Sequence, residues 1–435
     1  MSTKSSSYDN WPIPAIHSKS EQRYIIKRTI QAKIQSLCFY ICRVFPIKKK
    51  LISVCTFEGK GGFGCNPKYI VQELHRRDTD YEFVWFVNDM SKEFPEYIKK
   101  VPNTIWSRAY WLTRSKLWID NYRKPYGTKK RKGQFYFQTW HAGIGFKKIG
   151  LLRGDAFSRM AYIVSKSDSD MIDCTMIDCK WCELMYPKGL LYDGEMLYSG
   201  APRCDGLFGD RTEIRARLRQ KHGLYNGIKI LLFAPTFRES SHGGKRGVYI
   251  GRWSIDLKRV MTAFEKRFGG KWVIFIRVHP QIAAEAKGVG INSIGDYIYD
   301  VSIEDDMYEI LTGVDALITD YSSTIFEASL GDIPAFMYAD DIEEYSNYRG
   351  GLHFTFHKDP KEPVYNGTGY PKIKARFPYP IAYNNDELER NILDFNTTKY
   401  LKGVRAFEKD MGINTQGNAS KICADYISHV VYANL

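Results

Sequence analysis

The sequence predicts an α/β protein with two domains, each built on a parallel sheet. Short apolar runs alternate with helical stretches along most of the chain, which is typical of doubly wound sheets. The length of 435 residues suits two domains, and 44% hydrophobic with 26% charged residues suits a folded protein. We predict domains at residues 51–225 and 226–401, between an N-terminal segment (1–50) and a C-terminal helix (402–435) that packs back on the first domain.

The N-terminal segment is predicted to contain a disordered start and a basic helix. Residues 1–20 are polar, whereas residues 21–50 mix apolar residues with Lys and Arg. The apolar part is interrupted by Arg43, and no apolar run reaches the length of about 18 residues that spans a bilayer. A helix of this kind fits an anionic membrane surface, and the alternative is a helix that packs on the fold. The net charge of +14 also favours an anionic partner.

In the first domain, strands are predicted at residues 51–57, 81–87, 116–120, 135–140, 161–165 and 196–199. A glycine-rich loop at residues 59–64 follows the first of them. Asn66 and Pro67 then indicate the N-cap and first turn of a helix. The glycine spacing satisfies the dinucleotide pattern G-x-G-x-x-G. Because the helix begins only after the additional Asn-Pro, we favour a loop that faces a cleft between the domains.

In the second domain, strands are predicted at residues 229–234, 272–277 and 316–320. The last strand is followed by a hydroxyl-rich turn at residues 321–324 and then by a helix. Free backbone N–H groups and the positive end of the helix dipole favour phosphate at such a position. Thr324 and Glu327 also have the spacing of a capping box, so ordinary helix capping is the alternative interpretation.

Polar side chains follow several predicted strands at the end where parallel sheets bind ligands. Guanidinium and hydroxyl groups suit phosphate oxygens, and histidines can transfer protons near neutral pH. These residues are His141 in the first domain and Thr236, Arg238, Arg277, His279, Thr319, Asp320, Ser322 and Ser323 in the second.

The sequence predicts no obligatory metal or cofactor. The nine cysteines are scattered, which suits a reducing compartment. Cys174, Cys179 and Cys182 have an iron–sulfur-like spacing, with Cys204 downstream, but residues 173–184 have the pattern of a helix face. The acidic pair at residues 305–306 is more typical of a helix start than of a metal site. The sequence contains no Walker A motif, no G-x-S-x-G and no H-E-x-x-H.

Taken together, these residues resemble the CDP-glycerol glycerophosphotransferase family, which includes teichoic-acid primases and polymerases and their capsule relatives. The resemblance covers about residues 51–360 and implies a GT-B architecture, with two Rossmann-like domains and the active site between them. The chain departs from the family's usual motifs at Ala142, Gly143 and Cys204. The matching stretches are residues 57–60, 66–68, 115–121 (SKLWIDN), 138–143 (QTWHAG), 199–205 (SGAPRCD), 232–238 (LFAPTFR), 277–280 (RVHP), 317–327 (LITDYSSTIFE), 334–336, 341–345 and 349–350.

The resemblance implies transfer of a polyol phosphate from a CDP-activated donor, CDP-glycerol or CDP-ribitol, to a hydroxyl of a lipid-linked or growing polymer, with release of CMP. Of the two polyol phosphates, we expect glycerol phosphate to be the group transferred. His141 would be the catalytic base, and His279 would contact the transferred phosphate. The donor would be held by Thr236, Arg238, Arg277, Thr319, Asp320, Ser322, Ser323 and Glu327, and the acceptor side would include Gly59, Lys60, Asn66 and Gly143.

Two other functions are compatible with these patterns. A GT-B glycosyltransferase would use a sugar nucleotide and release a nucleoside diphosphate. A binding module for anionic polymers would show salt-dependent binding without turnover, and no nucleic-acid-binding motif is present, so we predict no nucleic-acid partner. The predicted location is the cytoplasmic face of a bacterial cell membrane, with residues 21–50 as the peripheral contact.

Overall fold

The computed structural model describes residues 11–236, 239–240, 247–248, 254–278, 295–348, 351–355, 364–365, 377–413 and 415–432. Within these ranges the chain forms two large parallel sheets with helices in the connections. This confirms the predicted fold class. Arg238, His279 and residues 1–10, for which predictions are made above, lie outside the described residues.

The first sheet has the strand order β3-β2-β1-β4-β5-β6-β7, and every pairing described in it is parallel. The chain direction across the sheet reverses between β1 and β4, and ligands of such sheets bind at that point. The strands are β1 (Lys48–Cys55), β2 (Glu82–Val87), β3 (Ile98–Pro102), β4 (Ser115–Asp120), β5 (Phe135–Gln138), β6 (Cys174–Ile177) and β7 (Glu195–Tyr198).

The second sheet has the order β12-β11-β8-β13-β14-β17, again with parallel pairings, and it reverses between β8 and β13. Two short antiparallel pairs, β9 with β10 and β15 with β16, lie outside it. The strands are β8 (Lys229–Ala234), β9 (Glu239–Ser240), β10 (Gly247–Val248), β11 (Trp272–Ile276), β12 (Ile298–Asp300), β13 (Ala316–Thr319), β14 (Ala335–Tyr338), β15 (Phe354–Thr355), β16 (Val364–Tyr365) and β17 (Ile381–Ala382).

Helices connect the strands, and none in the described ranges is both long and apolar enough to cross a bilayer. The last helix returns to the first sheet, because Asp425 forms an ion pair with Arg77 of α2 and the ring of Tyr432 contacts Tyr81. The α-helices are α1 (Lys19–Ile41), α2 (Cys65–Arg77), α3 (Ile105–Arg114), α4 (Arg159–Ser169), α5 (Lys180–Leu190), α6 (Thr212–Lys221), α7 (Leu257–Phe268), α8 (Met307–Gly313), α9 (Thr324–Leu330), α10 (Ile342–Tyr348), α11 (Asn385–Leu393), α12 (Thr397–Met411) and α13 (Ala419–Tyr432).

One predicted strand is wrong, and one strand was predicted as a helix. Residues 161–165 lie in α4, where the Ser158 side chain accepts a hydrogen bond from the backbone N–H of Ala161. The missing strand is β6, whose four residues are all buried, within the segment that was predicted as a helix face. Apolar runs of four or five residues do not distinguish a buried strand from a buried helix. The short strands β3, β12, β14 and β17 were not predicted.

Two predicted helix starts differ from the structure. The N-cap of α2 is Gly64, and Asn66 instead lies inside the helix with its side-chain amide donating to the carbonyl oxygen of Trp140 at 3.2 Å. The capping box at α9 is absent, since its N-cap, Ser323, makes no side-chain capping bond and Glu327 instead pairs with Arg203 in the segment after β7. By contrast, Asp306 is the N-cap of α8, as its sequence position indicated.

We expect acid to destabilise the protein through His353. This buried residue joins the two halves of the protein, each of which is built around one of the large sheets. Its backbone N–H donates to the carbonyl oxygen of Phe146 at 2.7 Å, and its ring contacts Trp181 edge-on. Burial lowers the pKa of His353 from 6.5 to about 4. Between these pH values the unfolded chain binds more protons than the folded chain, so the free energy of unfolding should fall on acidification, by about 3 kcal/mol at pH 4.

Urea denaturation at several pH values between 4 and 7 measures this effect. His353→Leu should flatten the pH dependence, whereas His429→Leu, a change of an exposed histidine on α13, should leave it as in the wild type. Equal slopes for wild type and His353→Leu would show that another group controls the acid response.

Candidate active site

His141 is the third residue after β5, at the carboxyl edge of the first sheet. Its Nδ1 is 2.6 Å from the backbone carbonyl oxygen of Asn121, the residue that follows β4. Because a carbonyl oxygen can only accept, this contact places the ring proton on Nδ1 and leaves the lone pair on Nε2. The half-buried imidazole is therefore oriented as a base whose accepting nitrogen is Nε2.

Aromatic rings surround this imidazole. Tyr122 stacks on it with 5.5 Å between ring centroids, while Trp140 lies at 4.5 Å and Phe57 at 5.3 Å. Phe57 and Trp140 have φ angles of 48° and 47°, in the left-handed region that residues other than glycine rarely adopt. Such strain costs about 1–3 kcal/mol per residue and is found preferentially at functional sites.

Side-chain hydrogen bonds stabilise the strained backbone at Phe57 and Trp140. The Phe57 N–H donates to the Asn121 side-chain oxygen at 2.8 Å, and the Trp140 N–H donates to the Gln138 side-chain oxygen at 2.9 Å. Asn66, predicted for the acceptor side, donates to the Trp140 carbonyl and is itself buried. Asn66 thus stabilises the loop that carries His141 from the buried side of that loop.

The remaining acceptor-side predictions fall on loops beside this site. Gly59 has a φ of 81°, and a Cβ there would lie 2.6 Å from the Asn103 side chain, so only glycine fits. Lys60, the next residue, is exposed. A Cβ on Gly143 would lie 1.9 Å from the Asp178 carboxylate. A side chain at position 143 would displace the Asp178 carboxylate, and this close contact brings the His141 loop against the end of β6.

On the second sheet, Thr236 and Asp320 join the ends of β8 and β13. Both the backbone N–H and the hydroxyl of Thr236 donate to the Asp320 carboxylate, at 2.8 and 3.0 Å. The buried Thr319 hydroxyl donates to the Ala234 carbonyl at 2.6 Å. Ser322 and Ser323 are half-buried at the start of α9. The structure thus brings these predicted donor residues together at the reversal point of the second sheet.

Two other predicted donor residues are buried and have structural partners. Arg277 is 4% exposed and donates to the Val301 carbonyl at 2.9 Å. The Glu327 carboxylate contacts the Arg203 guanidinium and accepts from the Tyr308 hydroxyl. Burial raises the pKa of Glu327, and the Arg203 guanidinium opposes that rise.

The two halves meet through ion pairs at the edges that carry these residues. Besides the pair of Arg203 with Glu327, Lys68 of α2 lies 2.8 Å from the Asp306 carboxylate, and both side chains are almost fully buried. A cavity lies between the halves. Its lining includes Gly143, Asp178, Cys179, Phe326 and Glu327. The cavity is therefore lined by residues of both halves, and Gly143, two residues after His141, is one of them.

The cysteine spacing seen in the sequence corresponds to a smaller cluster. Among the described residues, ligand atoms of Asp178, Cys179 and Cys182 lie within 4.8 Å of one another, whereas Cys174 belongs to β6. Burial raises the pKa of both clustered thiols, which opposes the thiolate form that binds metals.

Sequence reasoning missed two residues that complete the site, Tyr122 and Arg123. Tyr122 stacks on His141, and the Arg123 guanidinium lies 5.0 Å above the Trp140 ring. Both follow a strand that was predicted correctly to its last residue, Asp120. The rule that located His141 would have found them if it had been applied to the end of this strand.

Comparison with known proteins identifies the family. Residues 37–429 match the family model described as CDP-glycerol:poly(glycerophosphate) glycerophosphotransferase. The chain belongs to this family. The membership confirms the resemblance that the motifs indicated.

Curated members of the glycerophosphotransferase family are similar over most of this chain. The teichoic acid poly(glycerol phosphate) polymerase of Bacillus subtilis strain 168 is 25% identical over 362 residues, which are 81% of this chain and 47% of that protein. The teichoic acid poly(ribitol-phosphate) polymerase of Bacillus spizizenii is 25% identical over 341 residues, 76% of this chain and 51% of that protein. The chain therefore spans about half the length of these two relatives.

A solved structure of the family shows the same fold. The wall teichoic acid polymerase TagF matches with a TM-score of 0.74 and 22% identity, over 96% of this chain and 99% of that one. Another TagF structure, soaked with CDPG, matches with a TM-score of 0.73. The likeness establishes a GT-B-like fold for this glycerophosphotransferase family member.

Proposed function

We propose that the chain transfers glycerol phosphate from CDP-glycerol to a hydroxyl of a lipid-linked or growing teichoic-acid-type polymer and releases CMP. The observation that carries this proposal is the orientation of His141, whose Nδ1 contacts the Asn121 carbonyl oxygen at the carboxyl edge of the first sheet. Family membership supports the choice of a CDP-activated donor. Because the relatives include both glycerol-phosphate and ribitol-phosphate polymerases, CDP-ribitol is the alternative donor.

In the proposed reaction, Nε2 of His141 takes the proton of the acceptor hydroxyl. The resulting oxygen attacks the phosphorus that carries glycerol, and a new P–O bond forms to the acceptor. The bond from that phosphorus to the bridging oxygen breaks, and CMP leaves with the bonding electrons. Phosphoryl transfer of this type depends on positioning and charge neutralisation more than on covalent catalysis.

The donor is proposed to lie along the carboxyl edge of the second sheet. The half-buried Ser322 and Ser323 hydroxyls can donate to pyrophosphate oxygens, and the contacts of Thr236 with Asp320 fix the neighbouring turn. Arg238 and His279, outside the described residues, are proposed to supply further contacts to the donor phosphates. No obligatory metal or other cofactor is proposed.

A panel of donors tests the proposal. Purified protein is incubated with CDP-glycerol, CDP-ribitol or UDP-sugars, each with a membrane fraction as acceptor, and the released nucleotide is identified. We expect CMP from CDP-glycerol. CMP from CDP-ribitol alone would change the polyol, and UDP from a UDP-sugar would replace the proposal with the glycosyltransferase alternative.

We propose further that the chain works at an anionic membrane surface, on the cytoplasmic face of a bacterial cell membrane. Helix α1 has two opposite apolar stripes. Ala32, Cys38 and Phe39 are buried on the fold, so this side of the helix packs against the protein. The opposite stripe, which we name the apolar face of α1, is exposed and consists of Ile26, Ile30, Ile34, Leu37 and Ile41.

Basic residues flank the apolar face of α1. Arg23, Lys27 and Lys33 are exposed on the same helix, and such a combination binds anionic lipid surfaces through both burial and charge. Each large apolar side chain that enters a membrane contributes about 1.5–3 kcal/mol. The apolar face of α1 is therefore sufficient for a peripheral contact.

We expect the double change Ile34→Glu and Ile41→Glu to weaken binding to vesicles that contain phosphatidylglycerol by at least about tenfold, since two apolar side chains are lost from the contact. Vesicle flotation measures the bound fraction. Tyr225→Glu, which alters an exposed aromatic residue after α6, is the control and should bind as the wild type does. Unchanged binding of the double variant would exclude the apolar face of α1 as the membrane contact.

A further inference from the structure

Arg123 is a cation beside His141 that the mechanism above does not use. It is the third residue after β4, at the reversal point of the first sheet, and its guanidinium carbon lies 5.0 Å from the centre of the Trp140 ring. The same ring lies 4.5 Å from the His141 ring. Trp140 thus contacts both the proposed base and the guanidinium.

The carboxylates around Arg123 are bound to other groups. Asp120 lies 2.6 Å from the Lys124 ammonium, with both side chains almost fully buried. Asp168 accepts from the Lys124 N–H at 2.8 Å and from the Tyr136 hydroxyl at 3.2 Å. In the part of the chain that the structure describes, no carboxylate lies within ion-pair distance of the Arg123 guanidinium, although Asp168 and Glu58 stabilise its charge from farther away.

This environment favours a bound anion. Arg123 is half-buried, and burial lowers the pKa of its guanidinium. A charge removed from water without a close partner is costly, and an anionic ligand offsets that cost. Contact with the Trp140 indole ring stabilises the guanidinium and restricts its orientation. Its planar array of N–H donors suits a phosphate group better than a point charge does.

The position beside His141 indicates which phosphate binds. In a glycerol phosphate polymer, the free hydroxyl of the terminal unit is three carbons from the phosphodiester that links this unit to the next. Because the Arg123 guanidinium and the His141 imidazole both contact the Trp140 ring, a phosphodiester at this spacing can reach Arg123 while its hydroxyl lies at Nε2 of His141. The donor phosphates, in contrast, are assigned to the second sheet across the cleft.

We propose that Arg123 binds the phosphodiester adjacent to the attacking hydroxyl and so selects acceptors that already end in a polyol phosphate. The inference rests on the proposed function and deepens it. Arg123 makes the site prefer extension of an existing phosphate polymer over the start of a new one on a neutral alcohol.

Two soluble acceptors test the role of Arg123. One is the hexyl ester of glycerol phosphate, and the other is glycerol hexyl ether, which keeps the hydroxyls and lacks the phosphate. The rate of CMP release from CDP-glycerol is measured at several acceptor concentrations. We expect wild-type kcat/KM to be at least about tenfold higher for the ester, since hydrogen bonds to charged groups contribute about 1.5–3 kcal/mol.

Arg123→Gln should lower kcat/KM for the ester by at least about tenfold and change the value for the ether and the KM for CDP-glycerol by less than about twofold. Arg123→Lys keeps the charge without the planar donors, so its preference should be intermediate. Arg114→Gln is the matched control, because Arg114 also stacks on an aromatic ring, that of Tyr110, but lies on α3. The control should retain the wild-type preference.

The outcomes separate the two proposals. An unchanged ester preference in both Arg123 variants, or a rise in the KM for CDP-glycerol with equal losses for both acceptors, would overturn the role of Arg123 and leave the proposed function in place. If Arg123→Gln does not fold, as judged by thermal unfolding, the ester preference of Arg123→Lys decides the question in the same way. If the wild type releases no CMP with either acceptor or with a membrane fraction, the proposed function fails, and this inference fails with it.

Discussion

Replacement of His141 by alanine is expected to lower the rate of CMP release from CDP-glycerol by about 10²–10⁴-fold, which is the usual contribution of a general base. The loss should appear in kcat, while the affinity for CDP-glycerol should change little, because the donor is assigned to the second sheet. The backbone around the site should persist, since Asn121 and Gln138 hold the Phe57 and Trp140 N–H groups independently of the imidazole.

The measurement combines initial rates of CMP release with calorimetric titration of CDP-glycerol. His75→Ala is the matched control, because this histidine of α2 stacks on the ring of Tyr97 with 3.8 Å between centroids and lies outside the proposed site. The control should retain wild-type turnover. If His141→Ala retained more than about a tenth of wild-type kcat, His141 could not be the base.

Replacement of Glu327 by alanine is expected to destabilise the protein by about 3–5 kcal/mol, because it leaves the Arg203 guanidinium buried without its carboxylate. Arg203 is 1% exposed and Glu327 is 5% exposed. The pair joins the segment after β7 to α9, so its loss should also weaken the contact between the two halves. Urea denaturation of the variant and the wild type measures the change in the free energy of unfolding.

Two further variants show whether the effect arises from the buried charge. The double variant Arg203→Met with Glu327→Leu should be more stable than Glu327→Ala, since no unpaired charge remains. Glu82→Ala breaks an exposed ion pair with Lys48 and should change stability by less than about 1 kcal/mol. If Glu327→Ala were as stable as the wild type but had a raised KM for CDP-glycerol, Glu327 would instead bind the donor, as the family resemblance implied.

The sequence was sufficient for the parallel sheets because strands buried on both faces are continuous apolar runs. Residues 83–87 of β2 and 230–234 of β8 are examples, and both are fully buried. Strand ends also located His141, since parallel strands bring their carboxyl ends to one edge. The family motifs then indicated what kind of chemistry occurs at that edge.

The sequence was insufficient where partners are distant along the chain. The spacing of Thr324 and Glu327 matches a capping box, but Glu327 pairs with Arg203, 124 residues earlier. Asn66 resembles an N-cap, but its amide holds the Trp140 loop. Local spacing carries no information about such contacts. Tertiary contacts therefore override the local signals at these positions.

The fate of the phosphorus that carries glycerol is the most direct test of the proposed reaction. CDP-glycerol labelled with ³²P at that phosphorus is incubated with the protein and a membrane acceptor, and the polymer and the nucleotide are separated. Transfer of glycerol phosphate predicts labelled polymer and unlabelled CMP, with both products lost in His141→Ala. Label that remained in the nucleotide as CDP would mean that glycerol leaves without its phosphate, and it would contradict the proposed function.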